Sequence, residues 1–470
     1  MKRKTLCIIL TFLLPLLPLQ IRAQNGVGLY FTDILPQRNL SNPSFYEPYA
    51  LSIGFPGASG IHAHLDNNFF SWNALVTRGA DDSLRMDLTR LLGKASKISR
   101  IKADIDEEII RVGWRRKQNS FQIGLSLHAD MQLILSKETL SFILQGPGSN
   151  LGENSLNKNR LDLNSYAYLY FGYARTVNKH LSIGGRFKLI HGLWNFHTQK
   201  LDINFDIQNS EMTDPELVPY QYRLQVDGVF QTNLPIDNIF SLPNNNIFSS
   251  GTLSFSPFRN LGAAVDLGMN YEFGHGWNVS ASISDLGFIV WGDNEAGRLE
   301  SRKDVDNFTY RGLNIKKLQD GTSIGEILEN LVQSVKDTLE LTKTDSSMGA
   351  YVRALPATVN VGLSYTLFEM HRFGILFKGQ FYNKYFAPEI GISYTLMPCR
   401  WFALNVGNTF CSGNMLNFGL SFVLNLGPLQ LYAGVDRLNS FNVAKMRTAS
   451  AVFGINFVFG GGKYDWYTGQ

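Results

Sequence analysis

The chain has 470 residues, with 43 Lys and Arg against 39 Asp and Glu, and its formal charge is +4. Four of the basic residues and no acidic ones lie within positions 1–23, so the remaining chain carries no net charge. This balance excludes a chain-wide attraction to nucleic acid, and a total of three cysteines excludes a disulfide-dense scaffold.

The first 23 residues have the pattern of a cleaved signal peptide. Three basic residues precede an apolar run from Leu6 to Leu19, which two prolines interrupt. Ala23 follows as a small residue suited to a cleavage site, and the run is short for a membrane-spanning helix. The sequence predicts export with cleavage after Ala23, and the alternative is a short N-terminal anchor.

Two parts of the N-terminal region lack the period of a strand. Residues 24–48 show no alternation, and residues 81–98 place four leucines on one face of a predicted helix. Irregular backbone is tolerated inside a barrel, where protein surrounds it. We therefore expect these residues to form either a plug or a rim segment of the domain that follows.

The stretch 180–192, HLSIGGRFKLIHG, alternates with a period of two. Its apolar residues share one face of the predicted strand: Leu181, Ile183, Phe187 and Leu189. Arg186 and Lys188 lie on the other face. In a soluble sandwich this basic pair would face water, whereas in a membrane barrel it would point into the lumen.

The same alternation recurs in about sixteen runs, many of them near the nine to eleven residues that cross a bilayer at a tilt. Short turns alternate with long links, as they do in outer-membrane barrels but not in sandwiches. The long links are 132–162, 232–259, 287–354 and 437–447. The sequence predicts one all-β domain over 24–470, a transmembrane antiparallel up-and-down barrel of about 14–16 strands.

One hairpin can be aligned from its sequence, because a slip of one residue would move every side chain to the other face. A three-residue loop over 274–276 aligns the apolar residues, with Gly276 as the expected left-handed residue. The aligned pairs are Phe273 with Trp277, Tyr271 with Val279, and Leu267 with Ile283.

The same alignment predicts which polar residues of the hairpin face the lumen. Asp266 falls opposite Ser284, and Glu272 falls opposite Asn278. Asp285 falls on the apolar face, which is acceptable only where the lipid-facing stretch has ended. The lumen-facing candidates are therefore Arg186, Lys188, Asp266 and Glu272.

Two later segments depart from the strand pattern. The link 287–354 is predicted to be a long outer loop with a helix over residues 323–341, where apolar residues recur at helical spacing. Residues 460–470 form a tail after the last predicted strand, expected to be either a periplasmic contact or a frayed end.

Several stretches resemble a domain-of-unknown-function family of Bacteroidota outer-membrane proteins. They are SNPSF, SISDLGFIVW, LPATVNVGLSYTL and GPLQLYAGVD. That family is similar in layout to fatty-acid-transporter-like barrels and to barrels that accompany type IX secretion and gliding. The resemblance implies a cell outer-membrane location and assigns no activity. Asn42-Pro43-Ser44 resembles an Asn-Pro-Ala element near the start of related barrels.

The sequence has no zinc-protease helix, no nucleophile elbow and no phosphate-binding loop. We therefore expect no enzymatic activity, no catalytic residues and no cofactor. His62, His64 and Asp66 share one strand face and could hold a metal, but such a set is more often a hydrated cluster. We accordingly expect no metal site.

Two classes of function follow from these predictions. The first is passive transport or binding of a small molecule, including a hydrophobic one. The alternative is a non-enzymatic scaffold for secretion, gliding or envelope partners. The expected partners are the outer-membrane bilayer, a small-molecule ligand and envelope proteins, with no nucleic acid.

Overall fold

A computed structural model describes most of the chain, namely residues 26–78, 84–145, 152–209, 220–233, 259–292, 297–305, 342–345, 350–382, 385–411 and 416–461. The predicted signal peptide, the predicted helix over 323–341 and residues 462–470 of the predicted tail lie outside the described residues.

The described α-helices are α1 (Val27–Tyr30), α2 (Trp72–Leu75), α3 (Leu88–Lys94) and α4 (Lys137–Gln145). Short 3-10 helices cover Pro36–Leu40 and Val443–Lys445. The strands are β1 (Tyr49–Gly54), β2 (Gly60–Asn67), β3 (Val76–Arg78), β4 (Leu84–Met86), β5 (Ile98–Arg116), β6 (Asn119–Ser136), β7 (Gly152–Leu156), β8 (Arg160–Thr176), β9 (Leu181–Asn209), β10 (Tyr220–Thr232), β11 (Leu261–Gly274), β12 (Trp277–Trp291), β13 (Gly297–Val305), β14 (Thr342–Asp345), β15 (Tyr351–Ala354), β16 (Thr358–Leu367), β17 (His371–Tyr382), β18 (Tyr385–Cys399), β19 (Phe402–Cys411), β20 (Phe418–Leu426), β21 (Leu429–Leu438) and β22 (Thr448–Gly461). No described helix is both long and apolar enough to cross a membrane.

Fourteen strands close into one antiparallel barrel. The first barrel strand is interrupted at residues 55–59, so β1 and β2 share one line in the sheet, and both pair with β5 and β22. The other strands follow around the ring in the order β6, β8, β9, β11, β12, β16, β17, β18, β19, β20 and β21. Since β22 returns to the first strand, the ring has no free edge. The predicted barrel is confirmed, with the lower of the predicted strand numbers.

The barrel wall is apolar outside and polar inside. On β9, 48% of Leu189 is exposed, whereas Lys188 beside it is 5% exposed and Arg186 is 2% exposed. The same contrast holds on β11, where Leu267 and Met269 are exposed and Asp266 is buried. A soluble protein distributes these side chains the other way round. The period-two alternation therefore separates an apolar outer face from a polar lumen.

Part of the sheet continues beyond the barrel at the end that carries the long links. β9 has 29 residues, and only its first part pairs with β11. Its second part pairs with β7 and β10, and β13 and β14 extend this sheet further. The prediction of 287–354 as a long loop is therefore corrected, since this segment holds the end of β12 and all of β13, β14 and β15. β9 pairs with only one edge of β10, and β13 of this link pairs with the other edge.

The predicted helix over 81–98 is also shorter than expected. The α3 helix begins only after Asp87, whose carboxylate Oδ1 accepts a hydrogen bond from the Arg90 amide at 2.8 Å and caps the helix. Its buried leucines pack with α2 and α4 in a cluster beside the long-link ends of β5 and β6. The members of this rim cluster are Phe69, Ala74, Leu91, Leu92, Ala95, Leu140 and Leu144.

The hairpin of β11 and β12 follows the predicted register over most of its length. Tyr271 pairs with Val279 and Leu267 with Ile283, and Gly276 has a positive φ of 86°. The turn differs, because Gly274 rather than Phe273 pairs with Trp277. Gly274 itself has a positive φ of 84°, so it continues the strand as a bulge before the turn.

Candidate functional site

Residues 26–48 pack against the polar inner faces of the barrel strands, and we refer to them as the plug. The Tyr30 hydroxyl and Ser280 Oγ share a hydrogen bond of 2.9 Å, which joins α1 to β12. Farther along, the side chains of Ser282 and Asn360 donate to the carbonyl oxygen of Ser41 at 2.7 and 3.1 Å. The plug thus uses the polar inner faces of several strands as hydrogen-bonding partners.

The Asn42-Pro43-Ser44 element lies directly against the wall. Asn42 Oδ1 accepts from the Ser44 amide and hydroxyl at 3.0 and 2.7 Å, while its Nδ2 donates to backbone carbonyls of β11 and β12. A Cβ added at Gly184 would lie 2.2 Å from the Pro43 oxygen, and one at Gly268 would lie 2.1 Å from Asn42 Oδ1. Glycine at these two positions lets the element lie directly on the sheet.

Further glycines of the wall lie under the first turn of the plug. Aromatic or branched side chains of the plug occupy the space that a Cβ at each of them would need. These glycines are Gly362 below Tyr30, Gly374 below Phe31 and Gly391 below Val27.

Arg186 joins the plug to the wall. Its guanidinium donates to the carbonyl oxygens of Asn39 and Leu40 in the plug, and to Asp266 Oδ2 at 3.0 Å and Gln122 Oε1 at 3.2 Å in the wall. The guanidinium is almost fully buried. A buried cation is tolerated only when its donors are paired, so the plug carbonyls supply part of the solvation that Arg186 loses.

Lys188 and Asp266 extend this network toward the long-link end. The ammonium of Lys188 lies 2.9 Å from Asp266 Oδ2 and 2.6 Å from Asp285 Oδ1. Asp285 has a positive φ of 61°, and the β11–β12 register shifts beside it. This bulge moves Asp285 off the apolar face that the alternation predicts, and the predicted pairing of Asp266 with Ser284 is replaced by a hydrogen bond from the Asp285 amide to Asp266 at 2.8 Å.

The fourth predicted residue, Glu272, lies apart from this network. Its side chain is exposed near the short turn of the hairpin. The structure therefore brings Arg186, Lys188 and Asp266 together and leaves Glu272 at the rim. Their assignment to a functional site remains a prediction.

A second buried ion pair holds the end of the plug. Arg111 of β5 donates to Glu47 Oε2 at 2.5 Å and to Ser52 Oγ at 2.7 Å, and both Arg111 and Glu47 are buried. Nearby, Gln37 of the plug donates to Glu108 Oε2 at 3.2 Å and to Asn456 Oδ1 at 2.7 Å. The plug is thus anchored by charges on two separate parts of the wall.

Above the plug, the lumen contains a cavity of about 1050 Å³. It reaches from Gln37, Leu40 and Arg186 to residues at the long-link ends of strands, such as Arg100 and Arg447. Its lining includes nine basic and eight acidic side chains, so the cavity is strongly polar without a large net charge.

Side chains from facing strands meet within this cavity. Lys102 Nζ of β5 donates to Gln380 Oε1 of β17 at 3.0 Å. Arg437 of β21 donates to Glu389 Oε2 of β18 at 2.6 Å, and its other terminal nitrogen lies 3.5 Å from His64 Nε2. The lumen is therefore narrowed by charged side chains as well as by the plug.

The predicted His62, His64 and Asp66 set lies on β2 in the cavity wall. His64 Nδ1 is 3.5 Å from Asp104 Oδ2, and Asp66 accepts from Thr448 Oγ1 at 2.9 Å. In the described part of the chain, no group of three or more His, Cys, Asp or Glu side chains has an arrangement that could hold a metal ion.

Sequence reasoning missed the plug anchors and the inner charges of β5 and β21 for one physical reason. Strand alternation changes face at a bulge, and β5 shifts register between Glu108 and Ile110. Glu108 and Arg111 therefore both face the lumen although they differ in parity. Arg437, with a positive φ of 56°, does the same beside Asp436. The sequence signal for such a bulge is an acidic and a basic residue that lie close together in one strand but differ in parity.

A family model described as a family of unknown function (DUF5723) matches residues 43–436. No curated protein matches the chain. Among solved structures, the chain is similar to the toluene transporter TodX of P. putida, with 8% identity, a TM-score of 0.41, and coverage of 91% of this chain and 95% of that one. It is similar to a Pseudomonas aeruginosa FadL homologue at 8% identity and a TM-score of 0.41, with coverage of 90% and 94%. Scores at this level carry no argument about function.

Proposed function

The chain belongs to the DUF5723 family of unknown function, and from its own lumen we propose that it is an outer-membrane barrel that binds a small molecule and passes it inward passively. The observation that carries the proposal is the polar cavity of about 1050 Å³, which opens toward the long-link end and ends at the plug. A cavity of this size accommodates a small solute.

The outer face of the barrel supports the membrane location. Apolar side chains cover it, while hydroxyl, amide and charged groups point inward. Large aromatic side chains are exposed at the short-turn end, where an interfacial girdle would lie. They include Trp114, Tyr173, Phe273, Trp277 and Trp401.

Passage through the barrel requires the plug to move or to rearrange. The plug occupies the lumen below the cavity and is held by Arg186, by Asn42 and by the Arg111–Glu47 pair. These contacts are mostly hydrogen bonds and ion pairs, which can be exchanged for contacts with water or solute. A solute bound in the cavity is therefore placed next to the element that must open.

Uptake by proteoliposomes tests this function. The full chain is reconstituted, and entry of arabinose and of succinate is compared with that into protein-free vesicles. We expect at least one solute to enter faster with the protein, and Asn42→Ala to accelerate entry by weakening the plug. The absence of entry for both solutes, with wild type and Asn42→Ala alike, would exclude passive transport of small hydrophilic solutes. Toluene binding, measured by calorimetry, represents the hydrophobic class in the same panel.

The projecting strands favour the scaffold as a second candidate. The second part of β9, with β10, β13 and β14, forms a sheet beyond the barrel that transport does not require. Such a sheet can present a pairing edge to another chain. Co-purification of a stoichiometric partner, together with the absence of solute entry, would favour this alternative.

A further inference from the structure

Lys378 of β17 is a cation of the cavity without an acidic partner of its own. It lines the cavity, and it makes no hydrogen bond or ion pair with any residue in the described ranges. Its electrostatic neighbours are Arg437, Lys102, Glu389 and Asp104. Of the two acids, Glu389 accepts from Arg437 at 2.6 Å, and Asp104 lies 3.5 Å from Lys102 Nζ. Both acids are therefore engaged by other bases.

His62 of β2 is the second incomplete group of the same cavity. It is only 5% exposed, yet neither of its ring nitrogens has a hydrogen-bonding partner among the described residues. Asp106, Lys378 and Arg437 lie close enough to act on its ring electrostatically. Buried polar atoms are normally paired, so an unpaired donor and acceptor in a cavity wall point to an atom supplied from outside.

The unpaired donors, and not an excess of positive charge, favour an anion at this position. Lys102, Lys378 and Arg437 line this part of the cavity together with Asp104 and Glu389. Asp106 acts on His62 and lies 2.5 Å from His128 Nδ1, and Asp436 lines a small cavity beside Val27 together with Lys378, Glu389 and Arg437. An ammonium and an imidazole N–H are both donors, and a carboxylate or phosphate oxygen is an acceptor that satisfies both.

We propose that Lys378 and His62 bind the carboxylate or phosphate group of a small hydrophilic anion. The inference rests on the proposed function and names the class of its solute. The ammonium of Lys378 supplies the charge, and the ring N–H of His62 supplies a directional hydrogen bond. The remainder of the solute lies toward the long-link mouth, where the lining is polar and of both signs.

Calorimetric titration of the full, detergent-purified chain tests the site, with succinate and inorganic phosphate as separate probes. We expect at least one anion to bind, and Lys378→Met to weaken that binding by about tenfold or more, as loss of a hydrogen bond to a charged group does. His62→Phe should weaken it less. Binding of only one probe identifies the group as carboxylate or as phosphate.

Lys94→Met is the matched control, because Lys94 is an exposed lysine at the end of α3 and does not line the cavity. We expect this variant to retain wild-type affinity. Each variant is first checked for a folded barrel by its shift on SDS gels before boiling, and Lys378→Gln replaces Lys378→Met if the latter fails this check.

Two results would overturn the inference. One is equal anion affinity in wild type, Lys378→Met and Lys94→Met. The other is that neither anion binds while arabinose still enters proteoliposomes, which leaves the proposed function standing. Failure of arabinose and succinate to enter is a separate result, which concerns the proposed function.

Discussion

The Lys102 ammonium of β5 lies 3.0 Å from the Gln380 amide oxygen of β17, seven strands away around a ring of fourteen. With strands about 4.8 Å apart and tilted by about 40°, a round barrel of this size would separate opposite backbones by roughly 28 Å. Two extended side chains span about half of that distance. The barrel is therefore flattened at this level, and Lys102 and Gln380 join its two broad sides.

Removal of this bridge should widen the passage to the plug. We expect Lys102→Ala to accelerate solute entry into proteoliposomes. We expect no loss of heat resistance, because Lys102 is only half-buried and Asp104, its acidic neighbour, still has His64 Nδ1 at 3.5 Å. Lys158→Ala, at the mouth of the cavity, is the control. Unchanged entry would show that the bridge does not limit the route.

Loss of Arg186 should destabilise the barrel and release the plug. In Arg186→Met, Asp266 loses one of its two buried cationic partners, and the carbonyls of Asn39 and Leu40 lose a donor. Breaking a buried pair from one side costs about 3–5 kcal/mol. The measurement is the temperature at which the fast SDS-gel band converts to the unfolded one.

Glu272→Gln is the control for that measurement, since Glu272 is exposed near the short turn. We expect its conversion temperature to equal that of wild type. An equal temperature for Arg186→Met would contradict the anchoring role of Arg186.

A methyl group at Gly184 should displace the Asn42-Pro43-Ser44 element. The new Cβ would meet backbone, 2.2 Å from the Pro43 oxygen, so the plug rather than a flexible side chain has to move. We expect Gly184→Ala to lower stability by about 1–3 kcal/mol and to accelerate solute entry. Gly93→Ala is matched to it, because a Cβ at Gly93 meets no atom within 4 Å. Similar behaviour of the two variants would argue against close packing of the plug.

The loss of folding free energy caused by an arginine on the outer face should depend on its depth in the bilayer. Met269 lies midway along the outward series of β11, and Phe273 lies at the short-turn end. In a bilayer, Met269→Arg should cost about 2–4 kcal/mol of folding free energy and Phe273→Arg about 0–1 kcal/mol. Refolding into lipid vesicles under urea titration gives both values. A soluble sandwich would tolerate the two substitutions equally.

The parts of this fold that the sequence predicts are those in which alternation is unbroken. Along β9 the parity of Arg186 and Lys188 predicts their inward position, and β11 aligns with β12 because only one register joins apolar to apolar residues. At Asp285 and Arg437 the parity rule fails, since a left-handed residue reverses the face. The cavity depends on such residues and on contacts across the ring, such as Lys102 with Gln380, which local periodicity does not encode.

The sequence leaves the choice between plug and rim open for residues 24–48 and 81–98 for a related reason. Neither segment has the period-two alternation that shows which face of a strand meets lipid and which meets the lumen. The described part of the first segment packs against the inner wall, where glycines make room for it, whereas α3 of the second segment packs at the rim around Leu91 and Leu92. Only the positions of the strands distinguish the two outcomes.

The interrupted first strand has a consequence for the order of assembly. The plug immediately precedes β1, and the ring closes only when β1 and β2 meet β22, which lies at the opposite end of the described chain. Because closure joins the first strand to the last, a plug tethered to the first strand is enclosed as the seam forms. We expect the wall to close around the plug. The inward-facing glycines of the wall then pack against the plug while the barrel forms, so the plug guides the shape of the lumen during folding.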